Sequence, residues 1–355
     1  MAGKFQYGGQ AVIEGVMMRG RKTMAVAVRR PDNSISVHSE PVKSLAQQHR
    51  IWCLPFLRGM VALIDSFSIG MKALMFSADE AIDAEEEEKG KGIEISNEKD
   101  NEKDNEKDNK KDNEIGSEKS NEMGHQIDVA ATADSETVND AEVKEKKGLS
   151  TWETILTVGM AMVLVIVLFV LLPLGAGELL KRIGLPPFVI GFGEALVRAL
   201  LLLGYIRLVT LIPDIQRVFA YHGAEHKVIH TYEAGEELTV DNARTKTTLH
   251  PRCGTSFLFY VVLVSAVVFT LIASNVWYVK ILLRIALLPV VTGISYEIIK
   301  LAGKSNAFFL IRWLGMPGLW LQKMTTREPD DSMVEVAIAA LNSVLADDQA
   351  QVSQA

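Results

Sequence analysis

Four of the seven histidines and one of the two cysteines lie between residues 222 and 253. They occur in RVFAYHGAEHKVIHTYEAGEE (217–237) and TLHPRCGTSFLF (248–259), as His222, His226, His230, His250 and Cys253. Imidazole and thiolate groups are the donors that zinc prefers among protein side chains. This clustering therefore predicts a divalent metal site, and zinc is the metal that suits it best.

The spacing of the first histidines predicts how they act together. If Arg217–Thr231 is helical, His222 and His226 lie one turn apart on one face and can reach the same ion. HGAEH also matches H-x-x-E-H, the inverted form of the zinc-protease motif H-E-x-x-H. In such a site the glutamate, here Glu225, acts as the general base. We expect His222 and His226 to be metal ligands and Glu225 to be catalytic.

The sequence leaves the third ligand open. A catalytic zinc has three protein ligands and one open position, and Glu233, His250 and Cys253 are the candidates, with His230 a further one. Enzymes with H-x-x-E-H usually recruit a distant glutamate, and Glu297 is a candidate for that role. The alternative interpretation is a solvated helix without metal, in which Cys253 is a small buried residue and His250 a loop residue.

The elements that must position this cluster are apolar helices. Residues 155–176 carry no charge and are long enough to cross a hydrocarbon layer of roughly 30 Å. Residues 188–211, 257–273 and 277–299 also qualify, with interruptions. Four such stretches predict an α-helical membrane protein with about four transmembrane helices. The density of Lys and Arg around them predicts a multi-pass protein of the cell membrane, with both termini and the histidine loop in the cytoplasm.

The remaining organisation follows from changes in composition. Residues 1–48 read as a small β-rich cytoplasmic unit, because KTMAVAVRR and ISVHSEPV resemble strands around the turn PDNS, and AVIEGVMMRG can add a third strand. Residues 149–300 form the predicted four-helix transmembrane region, including the histidine-rich cytoplasmic loop 213–254. Residues 301–355 contain an interfacial segment and a C-terminal amphipathic helix, which could pack on the β-rich unit or on a partner.

Two segments precede the transmembrane region. Residues 49–80 are predicted to form an amphipathic or interfacial helix, because Arg58, Asp65 and Lys72 recur at seven-residue steps on one face. A true membrane crossing is the alternative. Residues 81–148, which include EKDNEKDNEKDNKKDN, are predicted to be a disordered acidic linker, since few apolar side chains are present to offset the entropy of ordering.

Charge and cysteine content limit the partners and the compartment. The net charge is −7, but residues 79–148 carry 24 acidic and 11 basic side chains, so the rest of the chain is mildly basic. A mildly basic body suits contact with an anionic lipid bilayer. No concentrated basic stripe with aromatic residues is present, so we expect no nucleic-acid partner. Cys53 and Cys253 are too few for a disulfide framework and predict a reducing compartment.

Charged residues inside the predicted spans are costly and often mark function or pairing. Glu194 and Arg198 have i,i+4 spacing, so an ion pair between them is the simplest interpretation. Arg284 is expected at the interface or paired with Glu297. A polar pathway through the bundle would use the same residues. This observation is the basis of a transporter hypothesis.

Four long motifs carry a resemblance to a known family. GGQAVIEGVMMRG, HGAEHKVIHTYE, HPRCGTSFL and PGLWLQKMTTREPDDSMVEVAIAAL together resemble the YqhQ family of bacterial multi-pass membrane proteins. The resemblance implies a metal-dependent enzyme of unknown substrate. Its histidine motif falls on His222, Glu225 and His226, and its second motif falls on His250 and Cys253. The opening motif adds Glu14 and Arg19, for which the simplest structural interpretation is an ion pair.

The leading hypothesis is a metal-dependent enzyme embedded in the membrane, with hydrolysis as the expected reaction and its site on the cytoplasmic side. A lipid-linked or membrane-bound substrate would suit a site at this interface. The main alternative is a non-catalytic scaffold or regulator that binds a protein partner and holds at most a structural metal. A small transporter is the third hypothesis.

Overall fold

The computed structural model describes residues 7–42, 52, 54, 57–82, 151–272, 276–302 and 309–353. Cys53 and residues 83–148 of the predicted acidic linker lie outside these residues, whereas residues 81 and 82 are the last two of a helix. Residues 1–85 and 163–355 form one compact unit, which contains everything discussed below. Residues 86–162 form another unit, of which only the first part of one helix is described.

The N-terminal part forms an antiparallel sheet of four strands in the order β1-β2-β3-β4. The strands are β1 (Gly8–Val12), β2 (Gly15–Arg19), β3 (Thr23–Arg29) and β4 (Ile35–Pro41). The predicted β-rich unit is therefore confirmed, with one difference. AVIEGVMMRG contains a hairpin and not a single strand, because Val12 pairs with Gly15 and Glu14 turns the chain at a left-handed φ of 49°.

The rest of the described chain is helical. The helices are α1 (Leu57–Ile82), α2 (Thr151–Ile166), α3 (Leu172–Arg182), α4 (Pro187–Val209), α5 (Pro213–Ala234), α6 (Val240–Arg244), α7 (Gly254–Thr270), α8 (Trp277–Ala302), α9 (Phe309–Thr325) and α10 (Asp331–Ser353). A π-helical segment, Val167–Leu171, joins α2 to α3.

Four helical stretches within the described residues are long and apolar enough to cross a membrane: Leu57–Ile82, Leu156–Arg182, Pro187–Val209 and Tyr278–Ala302. Three of them overlap the predicted spans at 155–176, 188–211 and 277–299 over nearly their whole length. The predicted span at 257–273 corresponds to α7, which is apolar but has 17 residues. At 1.5 Å per residue, α7 is about 25 Å long.

The helix α1 connects the sheet to α8. Ile69 and Ala73 in its second half pack into a core with the sheet residues Val12, Met17, Met24, Val26 and Val28. Its first half approaches α8 closely, since a Cβ on Gly59 would lie 2.8 Å from Tyr296 Cβ. Length and composition would allow α1 to cross a membrane, but its second half covers one face of the sheet.

The opposite face of the sheet packs against α5 and α10. The buried residues of this core include Val16, Met18, Ala25 and Ala27 from the sheet, Tyr221, Ala224 and Val228 from α5, and Val336, Ala340, Leu341 and Val344 from α10. The C-terminal helix therefore packs on the β-rich unit, which was one of the two expected arrangements. This packing holds α5, the helix that carries the histidines, against a rigid surface.

Candidate metal centre

The helix α5 is separate from the apolar helix α4 that precedes it. Pro213 occupies the first turn, where its missing N–H costs nothing, and Gly235 ends the helix at a left-handed φ of 74°. The predicted helix at 217–231 lies wholly within α5. The three histidines at 222, 226 and 230 consequently occupy successive turns of one helix.

The structure brings His222, His226 and Cys253 together. His226 and Cys253 are buried and His222 is partly buried. Their potential ligand atoms lie within 4.8 Å of one another. His222 Nε2 is 3.1 Å from Cys253 Sγ. Among the three candidates for the third ligand, Cys253 is thus the residue placed beside the histidine pair.

Backbone carbonyls orient both imidazole rings. His222 Nδ1 is 2.8 Å from the carbonyl oxygen of Thr325, and His226 Nδ1 is 2.5 Å from that of Thr248. A carbonyl only accepts, so each Nδ1 carries the proton and each Nε2 presents a lone pair. The Cys253 thiol then donates to His222 Nε2. Metal-binding histidines are typically held in this way, with one nitrogen bonded to a carbonyl and the other free for the ion.

Cys253 is held at the N-terminus of α7. Its sulfur accepts a hydrogen bond from Thr255 N at 3.4 Å and caps the helix. This cap fixes the position of the sulfur beside the histidine pair. The thiol therefore lies in a setting suited to coordination.

Gln322 on α9 fixes the loop that brings Cys253 to the histidines. Its side chain is fully buried, accepts from His250 N at 2.8 Å, and donates to His250 O and Ser256 Oγ, both at 2.7 Å. Our sequence analysis did not assign this residue a role. The available signal was a single uncharged polar side chain in the otherwise apolar run GLWLQ.

A second group of potential ligands lies beside the first. It consists of His230, Glu233 and His250, whose potential ligand atoms also lie within 4.8 Å of one another. The His250 ring is 5.5 Å from the His226 ring and 4.8 Å from the His230 ring, measured between centroids. His250 thus stands between the two groups, and Glu233 is placed in the second group.

Electrostatics distinguish the members of this second group. Burial lowers the pKa of His250 to about 4, so the ring is neutral at pH 7. Glu233 lies 3.6 Å from His250 Nε2 and forms an ion pair with Arg252. The hydrogen bond with His250, together with Arg252, lowers the pKa of Glu233 to about 2. Glu233 is therefore a carboxylate that already has a cationic partner.

Glu225, the predicted general base, lies behind the histidine pair. It is buried on α5 and accepts a hydrogen bond from Gly9 N of β1 at 2.9 Å. Burial raises its pKa, while a positive charge on His222, when that ring is protonated, and the Gly9 hydrogen bond act in the opposite direction. Glu225 is not a member of either potential ligand group in the described part of the chain.

Gly223 allows α5 to approach the connection between α9 and α10. A Cβ at this position would lie 2.0 Å from the carbonyl oxygen of Arg327, much closer than real Cβ atoms come. Arg327 N in turn donates to Phe219 O at 2.9 Å. The glycine of HGAEH therefore serves the packing that brings Thr325 O to His222.

Several expected pairs of charged residues have other partners. Glu297 forms an ion pair with Arg58 of α1, so the structure does not bring it to the histidines. Arg284 binds Glu194, and not Glu297. Both pairings join residues from different helices, which helical spacing along one segment cannot reveal.

The two charged residues of the opening motif do not pair with each other. Glu14 binds Arg217 on α5 through two hydrogen bonds of 2.5 Å. Arg19 lies 3.7 Å from the buried Asp65 of α1. These residues therefore fasten the sheet to the helices on its two faces.

Comparison with known proteins gives a consistent result. The family model described as "Protein of unknown function (DUF1385)" matches residues 54–347. A Bacillus subtilis (strain 168) protein described as "Uncharacterized protein YqhQ" is 35% identical over 341 residues, which cover 96% of this chain and 92% of that protein. No solved structure matches the chain significantly.

Proposed function

The chain belongs to the DUF1385 family that includes YqhQ, and on the arrangement of its buried histidines and cysteine we propose that it is a membrane-embedded, metal-dependent enzyme. Its apolar helices support the membrane part of this proposal. The observation that carries the metal part is the grouping of three potential ligand atoms within 4.8 Å of one another, with His222 Nε2 at 3.1 Å from the Cys253 thiol and both rings held by Nδ1–carbonyl bonds.

His222, His226 and Cys253 would hold the metal. Two nitrogen donors and one sulfur donor in a buried setting suit zinc better than magnesium or calcium, which prefer oxygen ligands. Zinc bound there would supply a Lewis acid. A set of three protein ligands leaves one position free, which is the pattern of catalytic and not of structural zinc sites.

Glu225 would act as the acid–base residue of this site. It neighbours His226 in sequence and is buried on the same helix as both histidines. Its hydrogen bond from Gly9 N fixes the carboxyl group between α5 and β1. A carboxyl group held in this way can receive a proton from a substrate or water and return it. Hydrolysis is the reaction class that we propose.

A structural metal site is the second candidate. The His250 ring lies 5.5 Å from the His226 ring, so His250 could complete a shell of four protein ligands. Such a closed shell would have no position for a substrate and would favour a scaffold or regulator over an enzyme.

Metal content is the first test. We expect about one zinc per chain in full-length protein purified in detergent, and its loss in His222→Ala, His226→Ala and Cys253→Ala. Glu297→Gln is the matched control, because Glu297 binds Arg58 and should not affect the metal. Zinc-free wild-type protein that also fails to bind zinc added at neutral pH would refute the metal site.

Cobalt replacement separates the two candidates. A cobalt–thiolate bond gives a characteristic absorption band, which Cys253→Ser should remove. Azide added to the cobalt protein should change the visible spectrum if a coordination position is open. An unchanged spectrum would indicate a closed shell, would contradict the enzyme hypothesis and would favour the scaffold.

A further inference from the structure

A second polar cluster lies among the apolar helices, away from the histidines. It consists of Glu194 and Arg198 on α4 and Arg284 on α8, each with only 6% of its surface exposed. Glu194 forms an ion pair with Arg284, and not with Arg198 as its i,i+4 spacing predicts. Arg198 instead donates to Phe169 O at 3.2 Å and to Ser265 Oγ at 3.4 Å.

The donors of Arg284 are not all satisfied. Its Nη2 donates to Glu194, but Nε and Nη1 have no hydrogen-bond partner among the residues that the structure describes. Buried guanidinium N–H groups without acceptors are costly, since burial removes the water that would otherwise bind them. Two N–H donors of Arg284 are therefore available to a further acceptor.

The charge balance of the cluster indicates what kind of acceptor would suit these donors. Two guanidinium groups face one carboxylate, which leaves a surplus positive charge among apolar helices. Both guanidinium carbons lie near the Phe269 ring, at 5.6 Å for Arg198 and 5.3 Å for Arg284 from its centroid. A ring face contributes a weak attraction to cations but accepts no full hydrogen bond in place of an anion.

The surrounding segments would attract an anion to this end of the bundle. Residues 172–198 and 262–284 contain five basic and two acidic side chains. One of the basic residues, Lys280, lies one turn before Arg284 on α8 and forms an ion pair with Glu178 at 3.6 Å. Phe269 is near the end of α7, whereas Cys253 is at its beginning, so about 24 Å of helix separates the polar cluster from the metal centre.

We propose that Arg284, together with Arg198, binds one phosphate group at this end of the bundle. Guanidinium N–H groups match the oxygens of phosphate in geometry and charge, and phosphate supplies several acceptors at once. The phosphate can belong to a phospholipid head group or to free inorganic phosphate. This site does not depend on the proposed metal chemistry.

The test uses the full chain in dodecyl maltoside, a detergent without charge or phosphate. Binding of radiolabelled inorganic phosphate is measured by equilibrium dialysis, and retained phospholipid is counted by native mass spectrometry. Saturable binding of inorganic phosphate identifies the free ion as the source. A phospholipid that stays bound during purification and blocks inorganic phosphate identifies the head group.

Two substitutions give opposite expected effects. Arg284→Gln should weaken binding by about tenfold or more, because it removes charged hydrogen bonds. Glu194→Gln should strengthen binding, because it removes the carboxylate that competes for Arg284. Arg207→Gln is the matched control, since Arg207 on α4 donates to Thr210 Oγ1 at 2.9 Å and lies outside the cluster.

Three results would overturn the proposal. The first is wild-type protein that retains neither phosphate nor phospholipid. The second is a folded Arg284→Gln variant that binds as well as wild type. The third is weaker binding by Glu194→Gln, and this result decides the question even if Arg284→Gln does not fold.

Discussion

Replacement of Gly223 by alanine should damage the metal centre without touching a ligand. The added Cβ would lie 2.0 Å from the carbonyl oxygen of Arg327, whereas real Cβ atoms almost never come within 3.0 Å of another heavy atom. The connection between α9 and α10 must therefore move by about 1 Å or more. Thr325, whose carbonyl orients His222, is two residues earlier on the same segment.

The substitution has two opposite effects on the stability of the protein. Alanine favours a helix over glycine by about 1 kcal/mol. Overpacking of a close contact costs about 1–3 kcal/mol, and here the obstacle is backbone, which cannot rotate away. We expect a net loss of up to about 2 kcal/mol in the free energy of unfolding.

The effect on the site follows from the hydrogen bond of His222. A shift of about 1 Å would lengthen the 2.8 Å contact between His222 Nδ1 and Thr325 O beyond hydrogen-bond distance. Loss of such a supporting bond typically lowers metal affinity by about 10- to 100-fold. Competition with a chromophoric chelator measures the affinity, and urea unfolding followed by circular dichroism measures stability.

Gly204→Ala on α4 is the matched control, because no atom lies within 4 Å of its added Cβ. This variant should bind zinc as wild type does and should be at least as stable. The reasoning fails if Gly223→Ala behaves in the same way as Gly204→Ala in both measurements.

Two further predictions concern the loop before α7. Gln322→Leu should lower zinc affinity by about 10- to 100-fold, because it leaves the buried N–H of His250 without its acceptor and removes one of the two donors to the His250 carbonyl. Unchanged affinity in a chelator competition would contradict this. The metal-free protein should lose stability as the pH falls from 6.5 toward 4, since His250 takes up a proton in the unfolded chain before it does so in the folded one. The loss should reach about 2 kcal/mol at pH 5, and urea unfolding at several pH values should show this slope in wild type and not in His250→Asn.

The sequence predicts the parts of the site that depend on local geometry. The i,i+4 spacing of His222 and His226 is enough to place both rings on one face of α5, and the structure has this helix. The sheet and the C-terminal helix were also predictable, because alternation and turn residues act over short distances. Their packing against each other was one of two alternatives.

The choice among ligands was not predictable, because it depends on the path of a loop. Cys253 reaches the histidines since the segment after α6 returns along α5, where Thr248 O and Leu249 O accept from His226 and His230. The backbone carbonyl groups that orient the rings cannot be identified from residue types, because every residue has one. The role of Gln322 was not predictable either, because it depends on the packing of α9 against this loop.

The ion pairs inside the apolar helices also could not be predicted from the sequence. Helical spacing places Arg198 near Glu194, but it does not reveal which residue of another helix lies closer. The packing of α8 brings Arg284 to Glu194, and the packing of α1 brings Arg58 to Glu297. The i,i+4 spacing of charges along one helix therefore does not predict the ion pairs where several helices contribute charged residues.

The order of the elements along the chain has a consequence for synthesis. The sheet is made first, yet one of its faces is covered by α10, which contains the last described residues. Thr325 and Gln322, which support the metal centre, also come after all the long apolar helices. The core around the sheet therefore cannot close until α10 has been synthesised, and until then part of the apolar face of the sheet stays uncovered. A chain that stops early, before α10, would keep its apolar helices but would never complete the domain that holds the histidines.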